Sequence, residues 1–362
     1  QSELYLEGSD QYRGWFNSSL TISTAIQGKA PYKAVVSHGW VLDEHGEQMH
    51  KSKGNGVDPI KMCNIFGADI LRLWVATVDY QQDVRMGENL LKQVAEQYRK
   101  IRNTFKFLLG NLSNGENSKF DPAKDKVNEF EEVDKFILAT LESVKNEVIT
   151  KFNKFDFSSA VTRIMTFMST DLSSFYLDIA KDILYCDGVN SKRRKQVQNV
   201  IYKLASELMR MLAPVLPFTM EEVHVNMPDY NGKSVALLDY PKESHEYDES
   251  TLANYKKFIE LRNEVNKAID DIRKQSIVGS SQEALVVLPK GTIVETLGIN
   301  KDMSELARLF IVSKVEISDV KAVEAHHIDA LKCPRCWNYV DKLYDVDEDT
   351  SVCERCKKVL GK

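Results

Sequence analysis

At 362 residues the chain is long enough for two to four domains, and 43% hydrophobic with 28% charged residues is the make-up of a globular protein with a sizeable core. Lysine and arginine number 48 against 53 acidic residues, a net charge of −5, so composition argues neither for nor against a nucleic-acid partner. No apolar run approaches the roughly 18 residues of a membrane span, and Gln1-Ser-Glu-Leu lacks the basic and apolar blocks of a secretory leader, so no membrane partner and a cytoplasmic location are expected. The Gln at position 1 suggests a piece of something longer.

In chain order, residues 1 to about 95 read as α/β. Leu4-Tyr-Leu-Glu is a short strand, and Gly8-Ser-Asp opens a helix running to about Ala25, with Ser9 or Asp10 as its cap. Val35 to Leu42 is a second, largely buried strand; further helices open after Pro59 and at Ala68. Strand-helix-strand order favours a parallel sheet.

From about Glu96 to Val223 the apolar spacing turns helical, as in Tyr98, Ile101, Phe105, Leu108 and in Ile201, Leu204, Leu208, Met211, so an antiparallel bundle is expected. Thr219-Met-Glu-Glu222 has the spacing of a capping box. Asn111 to Lys126 and Asn226 to Glu249 are polar and read as linkers. A helix over Leu252 to Gln275 is followed by two strand-like runs, Ala284 to Leu288 and Leu309 to Ile317. No internal repeat or low-complexity tract stands out.

The strongest local signal is Cys333-Pro-Arg-Cys336, sixteen residues, then Cys353-Glu-Arg-Cys356. Two matched Cys-x-x-Cys turns can place four thiolates around one tetrahedral zinc ion, a closed and therefore structural site; four free or redox cysteines would leave the matched turns unexplained. Around them Arg335, Trp337, Asn338, Tyr339, Arg355, Lys357 and Lys358 offer cations and stacking faces to RNA, against a purely scaffolding alternative.

Met49-His-Lys-Ser-Lys-Gly-Asn55 is a lysine-rich, glycine-containing loop of the kind that can neutralise phosphate oxygens, although alone it would be an ordinary solvated turn. It is not a Walker loop. Cations interleave with aromatics at Tyr98-Arg-Lys-Ile-Arg, a pattern suited to gripping unpaired RNA, whereas Lys192 to Lys195 reads first as a solvated helix face.

Taken in order, Glu7-Gly-Ser-Asp-Gln-Tyr-Arg-Gly-Trp, Ser37-His-Gly39, the lysine loop, Gly67-Ala-Asp-Ile-Leu-Arg-Leu-Trp74 and Cys333-x-x-Cys-Trp-Asn-Tyr339 resemble the C-terminal half of bacterial-type isoleucyl-tRNA synthetases of class I, over the entire chain. The resemblance implies an α/β remainder of a Rossmann-type catalytic domain (1–95), a mainly α-helical anticodon-binding bundle (96–225), a linker and small α+β junction domain (226–325), and a four-cysteine zinc knuckle (326–362). It implies ligation of isoleucine to tRNA(Ile) through an adenylate formed from ATP with Mg2+, by a monomer. Glu7, Gly8, Asp10, Gln11 and His38 would line the adenylate pocket, which suits carboxylates at a helix start and a glycine that lets backbone approach a ligand; a simple helix cap is the alternative for Glu7 and Asp10. Lys51 and Ser52 would be the catalytic residues of the family's Lys-Met-Ser-Lys-Ser motif, which here reads Gln48-Met-His-Lys-Ser52 and so has lost its first lysine and first serine. Lys53 could partly replace that charge, and His50 could add one below about pH 6.5. Tyr12 departs from the family's His. Arg85, Arg99, Arg102 and Trp337 would face tRNA, with packing over the zinc knuckle the alternative for Trp337. The family's upstream His-x-Gly-His segment and its editing domain are not in these residues, so the chain alone is expected to be inactive. A valyl or leucyl enzyme, or a free-standing tRNA-binding module, are the remaining alternatives.

Overall fold

In the computed structural model, residues 1–112 and 120–361 are described, apart from the side chain of Lys51. Strand β1 (Ser2–Gly8) runs parallel to β2 (Tyr32–His38), joined by helix α1 (Trp15–Gln27). Tyr5 stacks on Trp15 at 4.1 Å and lies 4.7 Å from Tyr32, which fixes the crossover helix to the strands. A second parallel pair, β3 (Val41–Leu42) with β4 (Val84–Arg85), follows directly. Between them lie α2 (Pro59–Phe66), capped by Asp58 with proline in its first turn, and α3 (Ala68–Thr77).

The expected start of the first helix is corrected. Residues Ser9–Arg13 form a 3-10 turn, α1 begins only after Gly14, and neither Ser9 nor Asp10 caps it. The Gln11 side-chain oxygen instead accepts the Trp15 amide at 3.0 Å, and a Cβ on Gly14 would stand 2.7 Å from it.

The bundle comprises α4 (Glu88–Leu112), α5 (Glu132–Asn153), α6 (Phe157–Thr166), a π-helical segment (Phe167–Tyr176), α7 (Leu177–Cys186), α8 (Lys192–Leu212) and α9 (Pro217–Val225). The first linker expected, Asn111 to Lys126, is shorter than its composition suggested: Asn111 and Leu112 finish α4, residues 113–119 lie outside the described residues, and Phe120 is fully buried. The capping box at Thr219 is also corrected. Buried Asp69 of α3 accepts both the Thr219 amide (2.7 Å) and hydroxyl (2.5 Å), so α9 is capped from 150 residues away. Arg72, one turn further on, donates to the carbonyls of Pro214 (2.6 Å) and Val215 (3.0 Å), clamping the turn that precedes α9.

Helix α10 (Glu249–Lys274) leads to a three-stranded sheet in which β5 (Ala284–Pro289) lies between β6 (Lys314–Ser318), parallel, and β7 (Glu324–His327), antiparallel. The short α11 (Ile293–Thr296) and α12 (Met303–Phe310) connect β5 to β6. The expected strand over Leu309 to Ile317 is therefore half helix: Leu309 and Phe310 end α12, and Ile311 closes it in the left-handed conformation, φ 58°. One continuous apolar core runs from Met62 in α2 to Ala325 in β7.

The tail builds two hairpins, β8 (Leu331–Lys332) with β9 (Tyr339–Val340) and β10 (Tyr344–Asp345) with β11 (Ser351–Val352), and ends in α13 (Glu354–Leu360). Its own core is small: Cys333, Val352, Cys353 and Cys356, with a few half-buried neighbours.

Candidate functional site

Parallel pairing in the register Glu7↔Ser37 and Gly8↔His38 ends both long strands at one edge, the carboxyl edge at which open parallel sheets receive ligands. Four of the residues singled out by sequence meet there. A Cβ on Gly8 would lie 2.8 Å from an Asp10 carboxylate oxygen and 3.6 Å from the His38 ring. Gln11 donates to Asp10 at 3.3 Å. His38 Nδ1 donates to the Gly39 carbonyl at 2.8 Å, which leaves Nε2 as the acceptor. Glu7, the fifth, stands exposed one residue before Gly8.

Gly39 is itself a packing requirement. A Cβ there would meet the Gln82 carbonyl at 2.3 Å, because the backbone of residues 80–83 crosses directly over it: the Gly39 amide donates to Tyr80 O (2.9 Å) and the Trp40 amide to Asp83 (2.7 Å). His38 and Gly39 also border an apolar groove of about 820 Å3 formed with Trp74, Tyr80, Phe152 and Tyr240.

The lysine loop leaves this edge through β3 and is held by two residues to which sequence reasoning assigned no role. Asp43 accepts the amides of His45 (3.0 Å) and Glu47 (2.9 Å) and the Asn55 side-chain amide (2.7 Å). Asn55 in turn accepts the His50 amide (2.9 Å) and donates to the Gln48 carbonyl (3.1 Å). These bonds, the one from Asn55 foremost, hold the Asp43 carboxyl below its ordinary 3.8. Met49 packs half-buried against the main core, while Gln48, His50 and Ser52 point to solvent. Lys51 opens a one-turn 3-10 helix ending at Lys53; its side chain lies outside the described residues. Lys53 is ion-paired with Glu47 at 2.9 Å, so the charge that could replace the lost lysine is already engaged within the loop. Arg85, on β4 opposite Leu42, stacks its guanidinium 3.1 Å from the position a Gly46 Cβ would take, under the loop.

In the bundle, Arg102 donates to both carboxylate oxygens of Glu222 on α9 (2.7 and 2.6 Å), which holds the guanidinium more firmly protonated, and Arg99 pairs with Glu96. The run Lys192 to Lys195 is not a solvated face. Lys192 meets Glu129 (2.7 Å), Arg193 forks onto fully buried Asp134 (2.6 and 3.2 Å), Arg194 is buried, and Lys195 meets Asp125 (3.0 Å).

In the tail the four cysteine sulfurs lie within 4.8 Å of one another, with Cys336 and Cys353 3.7 Å apart. Tetrahedral coordination at about 2.3 Å demands a sulfur–sulfur edge of about 3.8 Å, so the set fits zinc. Burial and the neighbouring sulfurs push the Cys336 thiol far up, and burial foremost lifts Cys356 to about 11. At Cys333 burial is outweighed by amide donors from Cys353, Cys336 and Arg335, which hold the thiol down at about 7. Four thiolates share this space only around a cation, and the site is a structural zinc centre.

Two of the module's expected RNA-facing arginines turn inward. Arg335 donates to the Cys186 carbonyl (2.7 Å) and to Cys356 Sγ (3.3 Å), and Arg355 forks onto Asp182 of α7 (2.9 and 2.9 Å). Trp337 stays 62% exposed, held at φ 65° with Lys332 over its ring, so it does not pack over the knuckle.

Comparison with known proteins accords with this arrangement. Residues 1–87 match tRNA synthetases class I (I, L, M and V), residues 134–288 the anticodon-binding domain of tRNA ligase, and residues 330–359 the zinc finger found in FPG and IleRS. The isoleucine–tRNA ligase of Staphylococcus carnosus is 40% identical over 374 residues, covering 99% of this chain and 40% of that protein. Isoleucine–tRNA ligase 1 of Oceanobacillus iheyensis is 41% identical over 375 residues, covering 100% and 40%. The fold is shared with the LeuRS–tRNA–LeuAMS ternary complex of Agrobacterium radiobacter, TM-score 0.52 at 18% identity over 80% of this chain and 31% of that one. It is also shared with methionyl-tRNA synthetase of Mycobacterium tuberculosis bound by methionyl-adenylate, TM-score 0.51 at 17% identity over 61% and 43%.

The chain belongs to the class I tRNA synthetases, and carries catalytic-domain, anticodon-binding and zinc-finger parts of that class. Within the class it falls among the isoleucine–tRNA ligases, spanning about 40% of the length of the curated relatives it matches. Among the described residues no helix is long and apolar enough to cross a membrane.

Proposed function

We propose that this chain supplies one wall of the adenylate site and the anticodon-binding body of an enzyme that joins isoleucine to tRNA(Ile), using ATP with Mg2+, as a cytoplasmic monomer. The observation that carries the reading is the convergence of Gly8, Asp10, Gln11 and His38 at the carboxyl edge of two parallel strands, with the lysine loop leaving the same edge. Asp10 and Glu7 offer acceptors for ribose hydroxyls or an ammonium, Gly8 a backbone that a ligand can approach, and His38 Nε2 a further acceptor. Lys51 is the cation for the pyrophosphate leaving group, and Ser52 lies beside it on the loop. Arg85, Arg99, Arg102 and Trp337 are tRNA-facing candidates, the two bundle arginines only when their present carboxylate partners yield. The domain boundaries near residues 95, 225 and 325 belong to the same proposal, as does the inactivity of the isolated chain in ATP–pyrophosphate exchange.

The test uses an enzyme of the relatives' full length carrying this segment. Lys51→Ala lowers the adenylation rate by at least about a hundredfold, the scale of one lost charge-stabilising donor, and Gln48→Ala by less than about threefold. Equal effects would count against the assignment.

A further inference from the structure

The His38 ring makes one hydrogen bond among the described residues, from Nδ1 to the Gly39 carbonyl at 2.8 Å. Its direction is therefore inherited from the Gly39–Trp40 peptide group. That group is planar and trans, so whatever holds its N–H end also aims its carbonyl end. The N–H end is held by Asp83, whose Oδ1 accepts the Trp40 amide at 2.7 Å. On the other side of the residue, the Gly39 amide donates to the Tyr80 carbonyl at 2.9 Å. Without these two bonds a residue lacking a Cβ would leave the peptide free to turn, and the imidazole with it.

The same arrangement sets the tautomer. A carboxylate on the N–H of a peptide polarises that peptide and makes its carbonyl a stronger acceptor. The ring proton is thereby drawn to Nδ1, and Nε2 keeps a lone pair for a donor on a ligand. The ring carbon between the two nitrogens lies 3.6 Å from the position of a Gly8 Cβ, so the acceptor is presented beside Gly8 and Asp10.

Tyr80 carries the connection onward into the bundle. Its hydroxyl donates to the Phe155 carbonyl at 2.9 Å, and its ring centroid lies 5.7 Å from that of Phe157. Phe155 closes α5: its own amide bonds to Phe152 O (3.0 Å) and the Asp156 amide to Lys151 O (2.9 Å), the paired bonds of a Schellman turn. It stands there at φ 59°, where glycine is the usual residue. A bulky side chain is strained in that conformation, and strained backbone gathers at positions that function fixes. One residue thus grips the strand end through its carbonyl and the α5–α6 turn through its hydroxyl.

Resting on the adenylate reading above, we propose that Asp83 and Tyr80 are positioning residues of the adenylate site. Through the Gly39–Trp40 peptide they fix the ring and the tautomer of His38, and through the Tyr80 hydroxyl they tie that setting to the bundle.

The first measurement is made on this chain carrying isotope-labelled histidine at about pH 8, above the ordinary histidine range, where long-range proton–nitrogen correlation spectra separate the two neutral tautomers and His38→Gln identifies the signal. His38 is expected in the Nδ1–H form. Asp83→Ala moves it toward the Nε2–H form that unrestrained imidazoles favour, and Asp83→Asn, which keeps an acceptor oxygen, leaves it in place. Tyr80→Phe speeds exchange of the Gly39 amide at least about fivefold, the scale of one hydrogen bond. The second measurement uses an enzyme of the relatives' full length carrying this segment. Asp83→Ala lowers kcat for ATP–pyrophosphate exchange about tenfold while KM for ATP moves by less than about twofold, and Asp83→Asn recovers most of the rate. An unmoved tautomer in Asp83→Ala, or an unmoved rate where His38→Gln slows exchange, overturns the proposal and leaves the adenylate reading standing. Unmoved Gly39 exchange in Tyr80→Phe overturns the tie to the bundle. A rate unaffected by His38→Gln overturns the adenylate reading of His38 and the proposal with it.

Discussion

Asp182 is the point at which three parts of the molecule meet, and its removal is the sharpest test of how they are joined. It lies on α7 of the bundle, accepts Arg355 of the zinc module in a fork (2.9 and 2.9 Å) and is ion-paired with Arg308 of α12 at 3.0 Å. The side chains of Asp182, Arg355 and Arg308 are 22%, 29% and 15% exposed, so the cluster is neither a surface pair nor fully buried. Each guanidinium keeps a second partner, Arg355 on Asp187 (3.3 Å) and Arg308 on Glu305 (2.8 Å). Stripping a partner from a buried pair costs about 3–5 kcal/mol and from an exposed pair about 0–1; with residual partners and partial exposure, Asp182→Ala is expected to cost about 2–3 kcal/mol. A chain of several units does not unfold in one step, so the loss is read as hydrogen-exchange protection of the α13 amides. A double-mutant cycle with Arg355→Ala should show a coupling of about 1.5 kcal/mol or more that persists at high salt. If the single substitutions sum to the double within about 0.5 kcal/mol, the carboxylate is not a clamp and the reasoning fails.

Chelation of zinc should abolish protection over residues 330–361 and leave the bundle core around Leu204 intact, because the module's own core amounts to three cysteines and Val352; a protected α13 in zinc-free protein would contradict this. The Asp43 carboxyl is depressed, so its contribution to loop stability is full above the ordinary 3.8 and drains as pH falls through the lower folded value; Asn55→Ala should raise that value toward 3.8 in a carboxyl NMR titration, and an unmoved titration would refute the linkage. Asp69→Ala should lower the hydrogen-exchange protection of the α9 amides by about 1–2 kcal/mol, the cost of a lost helix cap, and Asp69→Asn by less, since the acceptor oxygen remains; identical losses would mean that the capping bonds to Thr219 are not what Asp69 contributes.

Much of this architecture was legible in the sequence where the signal is local. Periodicity placed α2, α3, α8 and α10, and cysteine spacing alone placed the metal centre. The failures arise where a local rule was overridden by a group it does not count. Thr219 has the right spacing for its own box, yet Asp69 occupies its donors. Ser9 and Asp10 suit a cap, yet the turn coils tightly, and the α1 amide of Trp15 goes to Gln11. Leu309 to Ile317 read as one strand because a buried helix end, Leu309 and Phe310, adjoins a strand whose apolar residues alternate, and periodicity does not separate them over nine residues. Asp43 and Asn55 carried no motif signal at all; their role appears only when the loop closes on itself.

Charge was the least legible property, and its distribution follows from side-chain shape. Arg102, Arg193 and Arg355 each span two elements through planar forks onto carboxylates, Arg308 joins α12 to α7 through its ion pair with Asp182, and all four fix the fold. That use suits a guanidinium, which presents several donors in fixed geometry and tolerates partial burial. Lys100 and Lys181 instead stand exposed at a groove mouth. An ammonium on a flexible stem is a point charge that can follow a phosphate as it arrives. A count of basic residues along α4 or α8 therefore overstates the RNA-facing surface, because Arg99, Arg102, Arg193 and Lys195 counted there already pair with carboxylates of this chain.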